Sequence, residues 1–262
     1  LCVWLLSAGT FYGTIKPGIQ SATIKGVKCT VYIPKKFDQN QKHPAIFALH
    51  PHDGTGAEDY IDHWTKEADR RGYVVICPES KAIQEDQPIQ FQEWNSDHMH
   101  PPDDEERLTA LLPALSAKYN IQSRKIVLTG DGNFVFILGL NNPNLFSAVA
   151  PINGRILLKQ YPGNTSVDQY DTDSVNATVA SVDKQIKYSN RKEKQIPVLM
   201  VNGKGYPGVH EEDIVLTVNK LKGFGYDVES RMVEEGGGAY DASVPPVILD
   251  WFEKKKAEEK LQ

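Results

Sequence analysis

The chain has 262 residues, enough for one large α/β domain with a single core. Hydrophobic residues make up 40% and charged residues 24%, the balance of an ordinary globular protein, and the formal net charge is -5. Lysine and arginine are scattered, with short runs only at 191–194 and 254–256 beside glutamates, a pattern that offers no basic face for phosphates and excludes nucleic acid as a partner.

In chain order, the opening LCVWLLSAG is apolar and ends in small residues, like the second half of a secretory signal. A run this short cannot span a bilayer. The expectation is a signal remnant over residues 1–9, one domain over 10–262, and a secreted or periplasmic protein. SATIKGVKCTVYIP (21–34) reads as an antiparallel strand pair at a sheet edge. PAIFALH (44–50) is a short apolar run, after which Tyr60, Ile61, Trp64 and Ala68 recur at helical spacing up to Arg71. GYVVICPE (72–79) is a second β-branched run closed by proline. With Cys2 removed in the signal-like run, Cys29 and Cys77 are left; both lie in apolar runs and read as buried thiols, since two cysteines make no disulfide framework.

A polar segment from Ser80 to Pro102 precedes a helix with Leu108, Leu111, Leu112, Leu115 and Tyr119 on one stripe. Its acidic start, Asp103 to Glu106, suits the positive end of the helix dipole. KIVLTG (125–130), SAVAPI (147–152) and IPVLMVN (196–202) are three more buried strands, with a helix over 134–141 between the first two. The stretch at about 154–195 is polar, holds Asp168, Asp171 and Asp173, and reads as an excursion with a helix near 175–188. A helix with Ile214, Val215, Val218 and Leu221, a strand at DVESRMV (227–233) and a last helix with Val247, Ile248, Trp251 and Phe252 complete the chain. Continuous apolar strands separated by amphipathic helices predict a mostly parallel sheet covered on both faces, with an antiparallel N-terminal edge.

Six stretches then fall into a recognisable order. FALHPHDGTGAEDY follows an early strand, GYVVICPE is the next strand, and KYNIQSRKIVLTGDGNF is a strand running into a glycine turn. NPNLFSAVAPING, IPVLMVNGKGYPGVH and MVEEGGGAYDASVPPVILDWF complete the series. In this order they resemble the α/β-hydrolase fold, and in particular the secreted esterases related to polyhydroxybutyrate depolymerases and feruloyl esterases. The resemblance implies a Ser-Asp-His triad acting on carboxylic esters, with FALHPHDGTG as the oxyanion-hole loop and the glycine turn as the nucleophile elbow.

At each triad position that the resemblance marks, this chain carries a different residue. The serine position of the elbow falls on Gly132, and the glycine expected two residues later is Phe134, which should crowd the turn and take it out of its strained geometry. The acid's position, just after the IPVLMVN strand, is Tyr206, whose phenol has a pKa of about 10 and supplies no negative charge at about pH 7. The histidine's position in GGGAY falls on Gly238 or Ala239. The implied function is a non-catalytic relative of the ester hydrolases that binds an acyl, polyester or glycan-linked ligand.

Other groups at the same sheet edge are open to chemistry. Asp131 and Asn133 flank Gly132, and Trp94 lies on the long polar segment where it would line a cleft. His50 and His52 lie with Asp53 on the oxyanion-loop stretch, and His98 and His100 lie with Asp97 on the segment before the acidic helix. Two such pairs beside carboxylates have the donor types of a divalent metal site, and an esterase with relocated or metal-assisted machinery is the alternative they support. His50 also matches a histidine that the fold often carries as a structural residue. No other cofactor is expected: Gly130 and Gly132 lack the third small residue of a dinucleotide fingerprint, and the three aspartates lack the spacing of a calcium loop.

Overall fold

The strand pair expected at the N-terminal edge forms a hairpin. β1 (Gly18–Ile24) and β2 (Val27–Ile33) pair antiparallel around Lys25 and Gly26, with φ of 52° and 79°. Two positive φ values in a two-residue loop match the right-handed twist of the strands on either side. This and the following geometry come from a computed structural model that describes residues 14–51, 56–80, 94, 104–154, 195–206, 210–234, 238 and 240–259. The signal-like residues 1–9, the helix near 175–188 and the aspartates of the 154–195 excursion lie outside the described residues.

Beyond the hairpin, β2 pairs antiparallel with β4 (Val74–Pro78), and β4 pairs parallel with β3 (His43–Leu49). β5 (Ile121–Asp131), β6 (Ala148–Ile152), β7 (Val198–Gly203) and β8 (Val228–Val233) then follow in parallel register. The spatial order is β1-β2-β4-β3-β5-β6-β7-β8. The order reverses at β3, which has β4 on one side and β5 on the other. In such sheets the crevice for ligands opens beyond the carboxyl ends of the strands at that reversal.

The two faces of the sheet are buried by different helices. α3 (Asp104–Lys118), α4 (Phe134–Asn141) and α5 (Glu211–Gly223) cover one face, where Leu111, Leu115, Phe136 and Leu221 meet Phe47, Leu128 and Met200. α1 (Ala57–Tyr60), α2 (Asp62–Arg71) and α6 (Val244–Glu259) cover the other, where Trp64, Ala68, Ile248 and Phe252 meet Val75, Val127 and Leu199. Strands enclosed on both sides have no polar alternation, which is why they read as continuous apolar runs. Two boundaries differ from expectation. The helix begun at Tyr60 is broken at Ile61 into α1 and α2, and β5 starts at Ile121, four residues before the apolar run KIVLTG.

Arg71 ties α2 to α6. Its guanidinium donates to Glu67 at 2.9 Å, to Asp250 at 2.5 Å and to Glu253 at 2.7 Å. Cys29 and Cys77 are buried free thiols; burial first, then the nearby Glu79 carboxylate, pushes Cys29 up to about 12, and burial likewise raises Cys77. Among the described residues no helix is long and apolar enough to cross a membrane.

Candidate functional site

The carboxyl ends of β3 to β8 share one edge of the sheet, and of the residues singled out at the sequence level His50, Gly132, Asn133 and Tyr206 follow those strand ends among the described residues. β5 ends in the turn Gly130-Asp131-Gly132. Gly130 lies opposite Leu49 of β3, at φ 143°, and a Cβ there would sit 2.3 Å from the Leu49 carbonyl oxygen. Only glycine allows the two backbones this approach. Gly132 has φ 82° and donates its N–H to the Ile152 carbonyl at 2.8 Å, and a Cβ on it would meet no atom of the described residues within 4 Å. The turn thus holds Gly132 at a positive φ, and Phe134 two residues on does not prevent this.

Phe134 is accommodated because its ring leaves the turn. It is the first residue of α4, after Asn133, and it stacks on Trp94 with 5.7 Å between centroids and 3° between planes. Trp94 in turn packs against His50 at 4.7 Å and donates its indole N–H to the His50 carbonyl at 2.8 Å. Trp94 is half-buried beside the β3 and β5 ends, and the contacts it makes there are those of packing.

His50 is fully buried. Its Nδ1–H donates to the Pro51 carbonyl at 2.8 Å, and Nε2 accepts the Ser80 backbone N–H at 3.2 Å, with a Glu79 carboxylate oxygen 3.9 Å away. The Nδ1 bond fixes the ring on its own main chain, and Nε2 ties the end of β3 to the residues after β4. The Ser80 hydroxyl is buried without a hydrogen-bond partner, so serine and histidine meet here through a backbone group and not as nucleophile and base. His52, Asp53, His98 and His100 lie outside the described residues, as does the Asp131 side chain.

The acid's corner lies at the ends of β6 and β7. Tyr206 is half-buried and donates its N–H to Gly203 at 3.2 Å. Beside it, Asn153 adopts φ 53° and its side-chain oxygen accepts the Gly203 N–H at 2.9 Å. The remaining amide group of Asn153, 8% exposed, and both amide atoms of Asn202, 0% exposed, are buried with no hydrogen-bond partner. Such groups cost about 1 to 3 kcal/mol each when unmet. A construction Cβ on Gly154 would lie 2.9 Å from the Gly132 carbonyl oxygen, which places the Asn153-Gly154 turn directly against the elbow.

At the histidine's corner, Gly238 accepts the Asp241 N–H at 3.0 Å, and Ala239 lies outside the described residues. The Asp241 carboxylate accepts the Ser243 N–H at 2.7 Å just before α6. Its backbone carbonyl accepts a hydrogen bond from His63, the second residue of α2. Neither His63 nor the two asparagines stood out in the sequence. Asn153 and Asn202 each close an apolar strand run, which is the signal that marks them; His63 adjoins the Tyr60-Trp64 stripe and is hidden by helical periodicity.

No protein-family model matches the chain, and no curated protein sequence matches it. Solved structures do match. An S-formylglutathione hydrolase from Agrobacterium tumefaciens superposes with a TM-score of 0.63 at 16% identity, covering 92% of this chain and 97% of that one. An acetyl xylan esterase from Aspergillus awamori gives 0.64 at 17% identity, over 90% of this chain and 99% of that one. A thermophilic esterase from Thermogutta terrifontis gives 0.63 at 15% identity, over 91% and 94%. The strand order, the glycine turn after β5 and these likenesses together establish that the chain has the α/β-hydrolase fold.

Proposed function

We propose that this protein is an exported, ester-hydrolase-like pseudoenzyme that acts by binding a ligand at the carboxyl edge of its sheet. The single observation that carries the reading is Gly132. At the turn where hydrolases of this fold hold their nucleophile, the Cβ direction opens into free space and the residue has no side chain to place there. Tyr206 at the acid's position and Gly238 or Ala239 at the histidine's position agree with it. Without nucleophile and base, oxyanion hole and binding alone leave a residual of about 10³ to 10⁴ over water in the serine-protease case, too little for an esterase.

The ligand class follows from what the edge offers. Just beneath it the buried Asn153 and Asn202 amides hold neutral donors and an acceptor, which suit carbonyl and hydroxyl groups that reach them when the edge opens, and leave a charged group uncompensated. Acyl, polyester or glycan-linked ligands have those groups. The sequence resemblance to polyhydroxybutyrate depolymerases and feruloyl esterases and the structural likeness to an acetyl xylan esterase point the same way. The test is titration of the protein with a 3-hydroxybutyrate oligomer and, separately, a xylo-oligosaccharide, followed through the side-chain amide resonances of Asn153 and Asn202. Saturable shifts with one ligand, lost in Asn153→Ala, are expected. Unmoved amide resonances with both would refute binding at this edge.

A further inference from the structure

His63 holds the turn before α6 from a different element. Its ring packs on Tyr60 at 6.2 Å and 18°, on Trp64 at 6.1 Å and on Tyr240 at 6.2 Å, the last two edge-on. Tyr60 and Tyr240 complete the enclosure with their own edge contact at 5.6 Å. One ring nitrogen donates to the Asp241 carbonyl, which leaves Nε2 as the acceptor nitrogen, buried and without a partner among the described residues. A histidine in this state is stable only while neutral, because a proton on Nε2 would be a buried donor with nothing to accept it.

We propose that His63 is a proton-operated latch that holds the turn 240–243 against α1 and α2, and that its protonation releases this turn from the carboxyl edge of the sheet. The groups around the ring set the direction. Tyr60 comes from α1, and Tyr240 and Asp241 come from the turn; on its own helix Asp62 precedes it, and Glu67, one turn on, is held by Arg70 and Arg71. Burial lowers the His63 pKa from its ordinary value, and the hydrogen bond and charge of Asp241 offset this only in part. Its position in the first turn of α2, at the positive end of the helix dipole, further disfavours charge.

The folded protein therefore takes up this proton less readily than the unfolded chain. The stability it confers is complete above the ordinary histidine value of about 6.5 and is lost as pH falls from there through the lower folded value. The loss is local. The contacts that end are those of the His63 ring with Tyr240 and Asp241, while Arg71 still ties the other end of α2 to α6. Since the Asp241 N–H bonds to Gly238, at the position the resemblance gives the histidine, release of the turn also frees that position.

Amide hydrogen exchange on the whole chain tests this, with intrinsic rates divided out. The amides of Asp241 and Val244, which bond to Gly238 and Asp241, should lose protection by about tenfold or more between about pH 7.5 and about pH 5. The Val198 amide, bonded to Asp227 in the sheet, should not. His63→Gln keeps a donor for the Asp241 carbonyl and does not titrate, so protection should be independent of pH; His63→Phe, which keeps the ring, serves if the first variant is unstable. Unchanged protection in the wild type, an equal loss at Val198, or the same loss in the non-titrating variant would overturn the latch.

Discussion

The turn after β5 and the turn before α6 stand at two corners of the same sheet edge and are held in different ways. At the first, geometry is fixed by main chain: Gly130 lies against the Leu49 carbonyl, and Gly132, which has no side chain, bonds to Ile152. At the second, side chains join the main-chain bonds of the turn: the Asp241 carboxylate caps Ser243, and His63 reaches across from α2. A main-chain clamp is insensitive to which residue occupies the exposed position, so the turn can form with glycine there. A side-chain clamp depends on protonation and on each named residue.

The sharpest way to break the first corner is Gly130→Ala. The new Cβ would meet backbone at Leu49, which cannot move aside without shifting β3, and the residue would be held at φ 143°. A loss of about 4 kcal/mol in urea unfolding is expected from clash and backbone strain together. A loss below about 1 kcal/mol would mean that the close β3–β5 approach is not required.

That corner also shows how far the sequence could be read. The order of strands and helices, the turn after β5 and the burial of Phe47, Leu111, Trp64 and Ile248 were legible because each strand is enclosed on both faces and each helix keeps an apolar stripe. The start of β5 was not, because Gln122 to Lys125 carry no apolar run, and their pairing is set by the neighbouring strand. The fate of Phe134 was not legible either. Its ring meets Trp94, which is 40 residues away in sequence, and only a tertiary contact decides that it swings out of the turn. His63 was hidden for the same reason: its partners Tyr240 and Asp241 come from the far end of the chain.

Next in size is Phe134→Ala, which removes a buried ring and its stack on Trp94. About 3 kcal/mol of stability should be lost, with a red shift of the tryptophan emission as Trp94 gains water. An unchanged emission spectrum would show that the stack does not shield the indole.

At the second corner, Arg71→Ala tests whether α2 is an independent support for the His63 latch. Its guanidinium is buried, while Asp250 and Glu253 are exposed and screened, so the pairs are discounted to about 2 kcal/mol in all. The stability lost should not alter the pH response of the Asp241 amide. Loss of that response would mean that α2 moves as one body with the turn.

The smallest effect belongs to Gly132→Ala. Its Cβ enters open space, so only the left-handed φ opposes it, at about 1 kcal/mol. The contrast with Gly130→Ala, two residues away, isolates close approach from backbone conformation.

The central claim is that an esterase scaffold is retained here without the esterase reaction. The direct measurement is turnover of a chromogenic short-chain ester by the purified wild-type chain, with and without a serine-directed fluorophosphonate. The account predicts turnover at background and no covalent adduct. Turnover that the fluorophosphonate abolishes, with the label carried on a serine of this chain, would contradict it.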